Sequence, residues 1–153
     1  MDGDGYPDRG AGFARLDREG SLLLLAMVPV GRLIFTVNAL PAVRLMNFVV
    51  ADGLLVMRTA ADSTVARKVG GTIVTLEADE LDARTCAGWS VMVTGRAALV
   101  TDQAEAARYR QLPLVPWAAG RRDQFVTVTV ELVEGRRAGG PPVLTGEGGT
   151  RDS

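Results

Sequence analysis

Between Phe13 and Val133 the spacing of apolar residues changes period several times, and each change marks an element. Good helix formers with apolar positions at Leu16, Leu23 and Met27 predict a helix over 13–27, closed by Pro29. Residues 33–37 are β-rich, and Asn38-Ala39-Leu40-Pro41 turns the chain. Two strands follow, over 42–50 and 54–59, joined by Ala51-Asp52-Gly53, in which Asp-Gly is a strong hairpin signal. A short helix over 62–69 is started by Asp62 or Ser63 and stopped by Gly70-Gly71. The next strand covers 72–78 and leads into an acidic connection. The longest strand covers 90–101, with Val91, Val93 and Gly95 on one face and Ser90, Met92 and Thr94 on the other. Asp102 caps a helix through Tyr109, 113–123 reads as an irregular loop, and 125–133 as a closing strand.

Six strands with tight antiparallel connections and two or three short helices predict a mainly β fold, a closed or nearly closed antiparallel barrel. The helices are too few to cover both faces of a parallel sheet. The domain is expected over 13–138. Glycine- and proline-rich segments at 1–12 and 139–153 hold too little apolar surface to order themselves and read as tails.

Composition narrows the chemistry chiefly by what is missing. A chain of 153 residues with 47% apolar side chains has enough material for one core. Seventeen basic residues against eighteen acidic ones leave a net charge of -1, which argues against a general nucleic-acid binder. There is no histidine, so Ser-His-Asp triads, Cys-His pairs and HExxH zinc sites are excluded. Cys86 is the only cysteine, which excludes an intrachain disulfide and a thiolate metal cluster; a buried thiol in a reducing compartment is expected. The apolar run over 22–30 is far short of the roughly twenty residues that span a bilayer. The first dozen residues lack the basic and apolar regions of a signal peptide, so a cytoplasmic protein with no membrane partner is expected.

The segment from Val56 to Lys68 is the best anion-site candidate. A strand ends in Arg58 and Thr59, and a helix begins with Ser63 and Thr64, where orphan N–H groups and the helix dipole favour a phosphate. On a helix, Ser63 shares a face with Arg67, and Thr64 with Lys68, the only lysine. An ordinary capped helix with solvated basic residues accounts for the same pattern. Trp89 and Trp117 suit either stacking on a planar ligand or plain packing. Glu77 and Asp79, with Glu80 and Asp82 after them, read as a solvated strand end in preference to paired-carboxylate or metal chemistry.

Taken together, these segments resemble the pyridoxamine 5'-phosphate oxidase-like family of flavin-binding split β-barrels, particularly its small bacterial members. The resemblance runs from about Arg15 to Arg137. Its marks are Val30-Gly31-Arg32, Pro41-Ala42-Val43-Arg44 leading to Asn47-Phe48, Arg58-Thr59 followed by Ser63, Gly88-Trp89-Ser90-Val91 with Gly95-Arg96-Ala97, Pro113-Leu114 with Pro116-Trp117, and Gly135-Arg136-Arg137. It implies a homodimer with FMN at the interface, each site built from both chains, and an FMN-dependent oxidoreductase that transfers hydride to or from a small-molecule substrate. By the resemblance Arg44 to Asn47 lies along the flavin ring, Arg58, Thr59, Ser63 and Lys68 hold the phosphate and ring edge, and Asn47 and Ser90 meet the flavin edge. Trp89 and Ser90 approach from the partner, and Trp89 and Trp117 wall the pocket. Thr64 stands where small members often carry a phosphate-binding lysine, with Arg67 or Lys68 about one turn later. A non-catalytic dimer that binds flavin, a deazaflavin or another ligand is the alternative.

Overall fold

Hairpin geometry organises the first half of the chain. In the computed structural model, which describes residues 13–114 and 123–139, strand β1 (Phe13–Leu16) is followed by helix α1 (Arg18–Leu25). Strands β2 (Val30–Val37), β3 (Leu40–Ala51) and β4 (Leu54–Thr59) then form two successive hairpins. Both turns have two residues at positive φ, Asn38 and Ala39 in the first and Asp52 and Gly53 in the second, the twist that matches right-handed strands. Helix α2 (Thr64–Lys68), β5 (Ile73–Asp82), β6 (Ala87–Leu99), α3 (Gln103–Tyr109), β7 (Gln124–Thr129) and β8 (Leu132–Ala138) complete the order.

The strand ladders run β1-β8-β6-β5-β2-β3-β4-β7, and β7 also pairs with β6. Every pairing is antiparallel, and β2, β3, β4, β7, β6 and β5 are thereby linked in a ring from which β8 and β1 extend. The two longest strands make this possible by changing partners. β3 pairs with β2 over its first eight residues and with β4 from Phe48. β6 pairs with β8 as far as Thr94 and with β7 from Ala97. Leu33, Phe48, Leu55, Met57, Leu76, Val91, Val93, Val126 and Val128 fill the ring. A second cluster, Val56, Tyr109, Leu114 and Phe125, lies on the opposite face of β4 and β7 under α3. Burial on both faces explains the nearly continuous apolar run of β4.

The mainly β architecture follows the expectation, with eight strands where six were predicted. The predicted helix over 13–27 divides because Asp17 caps α1, accepting from the Gly20 N–H at 2.7 Å, while Phe13–Leu16 pairs with β8. The closing strand predicted over 125–133 is two strands, broken at Val130 and Glu131. There Arg18 of α1 donates to the Val130 carbonyl at 2.7 Å and to the Glu131 carbonyl at 3.3 Å. The acidic connection after Ala78 is the second half of β5, paired with β6 through Asp82. No helix among the described residues is long and apolar enough to cross a membrane.

The partner change in β6 falls at Gly95. A Cβ there would lie 1.7 Å from the Thr129 carbonyl oxygen, a backbone atom. Gly95→Ala is therefore expected to destabilise the fold by about 1–3 kcal/mol or more, read from the midpoint of urea unfolding; an unchanged midpoint would show that β6 and β7 separate freely.

Candidate functional site

Alternation along β4 sends its two terminal candidates to opposite faces. Thr59 follows Leu55 and Met57 and is buried, whereas Arg58 follows Val56 outward. The Arg58 guanidinium lies over the ring of Phe125, its cross-strand partner, 5.1 Å from the centroid. Beyond β4 the chain turns on a bond from the Ser63 N–H to the Ala60 carbonyl, and α2 begins.

Ser63 is the cap of α2. Its Oγ accepts from the Ala66 N–H at 3.0 Å and from the Thr59 hydroxyl at 2.9 Å. With Ser63 Oγ accepting twice, its own hydroxyl proton is left as a donor. Thr59 and Ser63 thus form a bonded hydroxyl pair, with Thr64 the first residue of the helix after them and Arg58 on the other face of β4. Arg67 and Lys68 are exposed in the last turn. At 1.5 Å per residue, Lys68 stands roughly 7 Å along the axis from Ser63.

Arg44 is exposed on β3, opposite Leu33, and its Nη1 donates to the Val43 carbonyl at 2.9 Å. Asn47 is half-buried opposite Val30. Trp89 and Ser90 lie near the start of β6, Trp89 buried in the main core and Ser90 half-buried between Asp79 and Arg136. They line a cleft of about 660 Å³ together with Leu81, Cys86, Arg136 and Gly139. Trp117 lies outside the described residues.

Apart from Arg44 and Asn47 on β3, the described candidates thus fall into two groups at opposite ends of β6. The exit of α2 is fastened to the far end, where the Gly71 N–H donates to the Ala97 carbonyl and the Ala97 N–H to the Thr72 carbonyl, both at 2.8 Å. Trp89 is eight residues away along the strand, roughly 26 Å at the usual rise. Within one chain the hydroxyl pair and the cleft do not converge.

Two local expectations are corrected. Cys86 is exposed, not buried, because it sits in the β5–β6 turn at φ 55 and lines the cleft. Glu77 and Asp79 are not a solvated strand end: Arg32 Nη1 donates to Glu77 Oε2 and to Asp79 Oδ2, each at 3.0 Å, with the two carboxylate side chains 17% and 26% exposed. Burial, and then the neighbouring Asp79, push the Glu77 carboxyl up to about 7 against the opposing pull of Arg32. Arg136 and the apolar wall of the cleft were not among the sequence candidates. Only the pairing of β8 with β6 brings Arg136 beside Ser90, and no local motif signals that pairing.

Comparison with known proteins agrees with this architecture. The family model described as pyridoxamine 5'-phosphate oxidase matches residues 17–137, and the chain belongs to that family. It is 43% identical over 127 residues to the uncharacterized protein Rv0080 of Mycobacterium tuberculosis, covering 80% of this chain and 83% of that one. Among solved structures it is similar to an FAD binding protein from Mycobacterium smegmatis, with 31% identity, a TM-score of 0.69, and coverage of 82% of this chain and 98% of the other. It is also similar to a candidate pyridoxamine 5'-phosphate oxidase from Corynebacterium glutamicum, at 26% identity and a TM-score of 0.73, covering 83% and 93% of the two chains. The fold is that of the family's flavin-binding barrels.

Removing the Ser63 hydroxyl deprives the helix of its cap and the buried Thr59 hydroxyl of its acceptor. Ser63→Ala is expected to cost about 1–3 kcal/mol in urea unfolding. Lys68→Ala is expected to stay within about 0.5 kcal/mol, as an exposed side chain should.

Proposed function

We propose that the chain is a flavin-dependent oxidoreductase of the pyridoxamine 5'-phosphate oxidase family, a cytoplasmic homodimer that binds FMN between its subunits and acts on a small molecule by hydride transfer. The observation that carries the reading is the corner between β4 and α2. Arg58, Thr59, Ser63 and Thr64 stand there in a chain whose family and similar structures include flavin binders.

The donor set fits a phosphate monoester. The hydroxyls at the helix start supply donors to phosphate oxygens, and the Arg58 guanidinium, which leaves β4 on the other face over Phe125, adds positive charge beside the corner. The other end of the domain fits a planar ring, with Trp89 and Leu81 as apolar walls and Ser90 as a polar edge. The separation of the two groups along β6 supports a site completed by a second copy, with Arg58, Thr59, Ser63 and Thr64 from one subunit and Trp89 and Ser90 from the other.

When bound, the flavin supplies the hydride chemistry itself. This chain's part is to bind and orient. Arg58 and the hydroxyls fix the phosphate, Arg44 and Asn47 border the ring, and Trp89 keeps water from one edge. Lys68 adds long-range attraction for the anion from the end of α2. None of these roles requires a histidine.

The test is a visible absorption spectrum of purified protein after loading with FMN and desalting, with mass spectrometry of the released cofactor. Retention of one flavin per subunit is expected; a protein that retains none overturns the reading, and a released deazaflavin or FAD replaces the cofactor named. In the same assay Arg58→Ala is expected to weaken binding by about 1.5–3 kcal/mol, or roughly 10- to 150-fold. Thr64 at the position of a common family lysine favours a second reading, a binding protein without turnover. Loaded protein that never oxidises reduced nicotinamide with any electron acceptor supplied would decide for it.

A further inference from the structure

The cleft beside the β5–β6 turn is built on two cross-strand rows. Leu81, Gly88 and Ala138 form the first, and Asp79, Ser90, Arg136 and Arg15 the second. The first row is a floor with little standing on it. Gly88 is at φ 145, where a Cβ would overlap the Glu80 carbonyl, so no side chain can rise at its centre, and Ala138 offers only a methyl group. The resulting space of about 660 Å³ lies in the range of sites that take a whole small molecule. Its walls are apolar. Trp89 and Ala87 line it, and so does Leu81, which is 62% exposed although it is a large hydrocarbon side chain.

Charge enters the lining at two diagonally opposite corners, Asp82 and Arg136. Asp82 belongs to the turn, where its Oδ1 accepts from the Arg84 N–H at 2.9 Å and from the Thr85 N–H at 3.4 Å. Arg136 stands two strands across and three positions along β6, roughly 14 Å away at the usual strand spacings. Directly opposite Arg136 on β1 is Arg15, and like charges facing each other across a strand pair are destabilising, which an anion beside them relieves. A guanidinium has five N–H donors, so Arg136 can keep a protein neighbour and still present a fork to a carboxylate. The Ser90 hydroxyl is next to it in the row.

We propose that the cleft selects an apolar monocarboxylic acid as substrate, with its body against Leu81, Trp89 and Ala138 and its carboxylate on Arg136. The inference rests on the flavin reading above, which makes the bound molecule a substrate sharing the cleft with the ring, and it adds the chemical class of that substrate. Asp82 sets the direction of binding, since an anionic end beside it is repelled and one at the Arg136 corner is attracted. With one cation and one carboxylate on its lining, the cleft suits one negative charge better than two. Arg136 determines specificity and takes no part in hydride transfer.

Calorimetric titration of flavin-free and FMN-loaded protein compares 2-naphthoate with the uncharged 2-naphthamide, which has the same ring body. Naphthoate is expected to bind at least about tenfold tighter in both preparations, the difference between a charge-assisted and a neutral hydrogen bond. Arg136→Gln is expected to bring the two ligands within about twofold of each other by weakening naphthoate alone. Ala138→Leu, which raises the floor, is expected to weaken both at least about fivefold. Equal affinity for the two ligands in the native chain, no binding of naphthoate at millimolar concentration, or naphthoate binding unchanged in both variants overturns the proposal. So does a preference present without FMN and lost with it, since the ring then takes the place of the acid. A protein that prefers naphthoate through Arg136 but retains no flavin keeps the acid site and removes the flavin reading. One that holds flavin without the preference keeps the flavin reading and loses the acid.

Discussion

At Gly95 the backbone of β6 comes so close to the Thr129 carbonyl that a side chain would overlap it, and the rest of the architecture depends on this approach. It lets one strand leave β8 and join β7 within three residues, which links six strands in a ring. The neighbouring bonds hold the crossing in place. Thr129 Oγ1 accepts from the Arg96 N–H at 2.9 Å, and the Glu131 N–H donates to the Thr94 carbonyl at 3.2 Å. Because β6 is continuous through the crossing, it also sets the distance between α2 at one end of the domain and the cleft around Trp89 at the other. A site drawing on both groups within one chain would have to span that fixed length.

Elements whose signal is local were legible in the sequence. Asp52-Gly53 supplies the two positive-φ residues of a tight hairpin, and the structure has that turn. Ser63 and Asp102 cap α2 and α3 as the residue types suggest. The turn expected over Asn38-Ala39-Leu40-Pro41 is present, although it places an alanine at φ 62, where glycine is the more usual residue. Elements stabilised from far along the chain were not. Phe13–Leu16 is a strand only because β8 lies beside it, and its alanine, arginine and leucine suit a helix equally well. The break between β7 and β8 carries neither glycine nor proline and is held by Arg18 from α1, more than a hundred residues earlier.

The candidate site divides in the same way. Arg58, Thr59, Ser63 and Thr64 lie within seven residues, so their clustering could be read from sequence, although not that Thr59 and Ser63 already bond each other. Arg32 lies more than forty residues before Glu77 and Asp79 and meets them through the β2–β5 ladder. Read alone, four acidic residues between Glu77 and Asp82 suggest a solvated connection. A cross-strand arginine and partial burial turn two of them into a cluster with a proton to exchange near neutral pH.

Complementation between subunits tests the central claim, that one flavin site is assembled from opposite ends of β6 in two chains. Arg58→Ala and Ser90→Trp are each introduced into separate chains, and flavin retention is measured before and after the two proteins are mixed and allowed to exchange. If the groups come from different subunits, neither variant alone retains flavin well, and each mixed dimer regains one intact site. Restoration to one tightly held flavin per mixed dimer is the result the account requires. No gain on mixing, with exchange confirmed, would contradict it and place the whole site within a single chain.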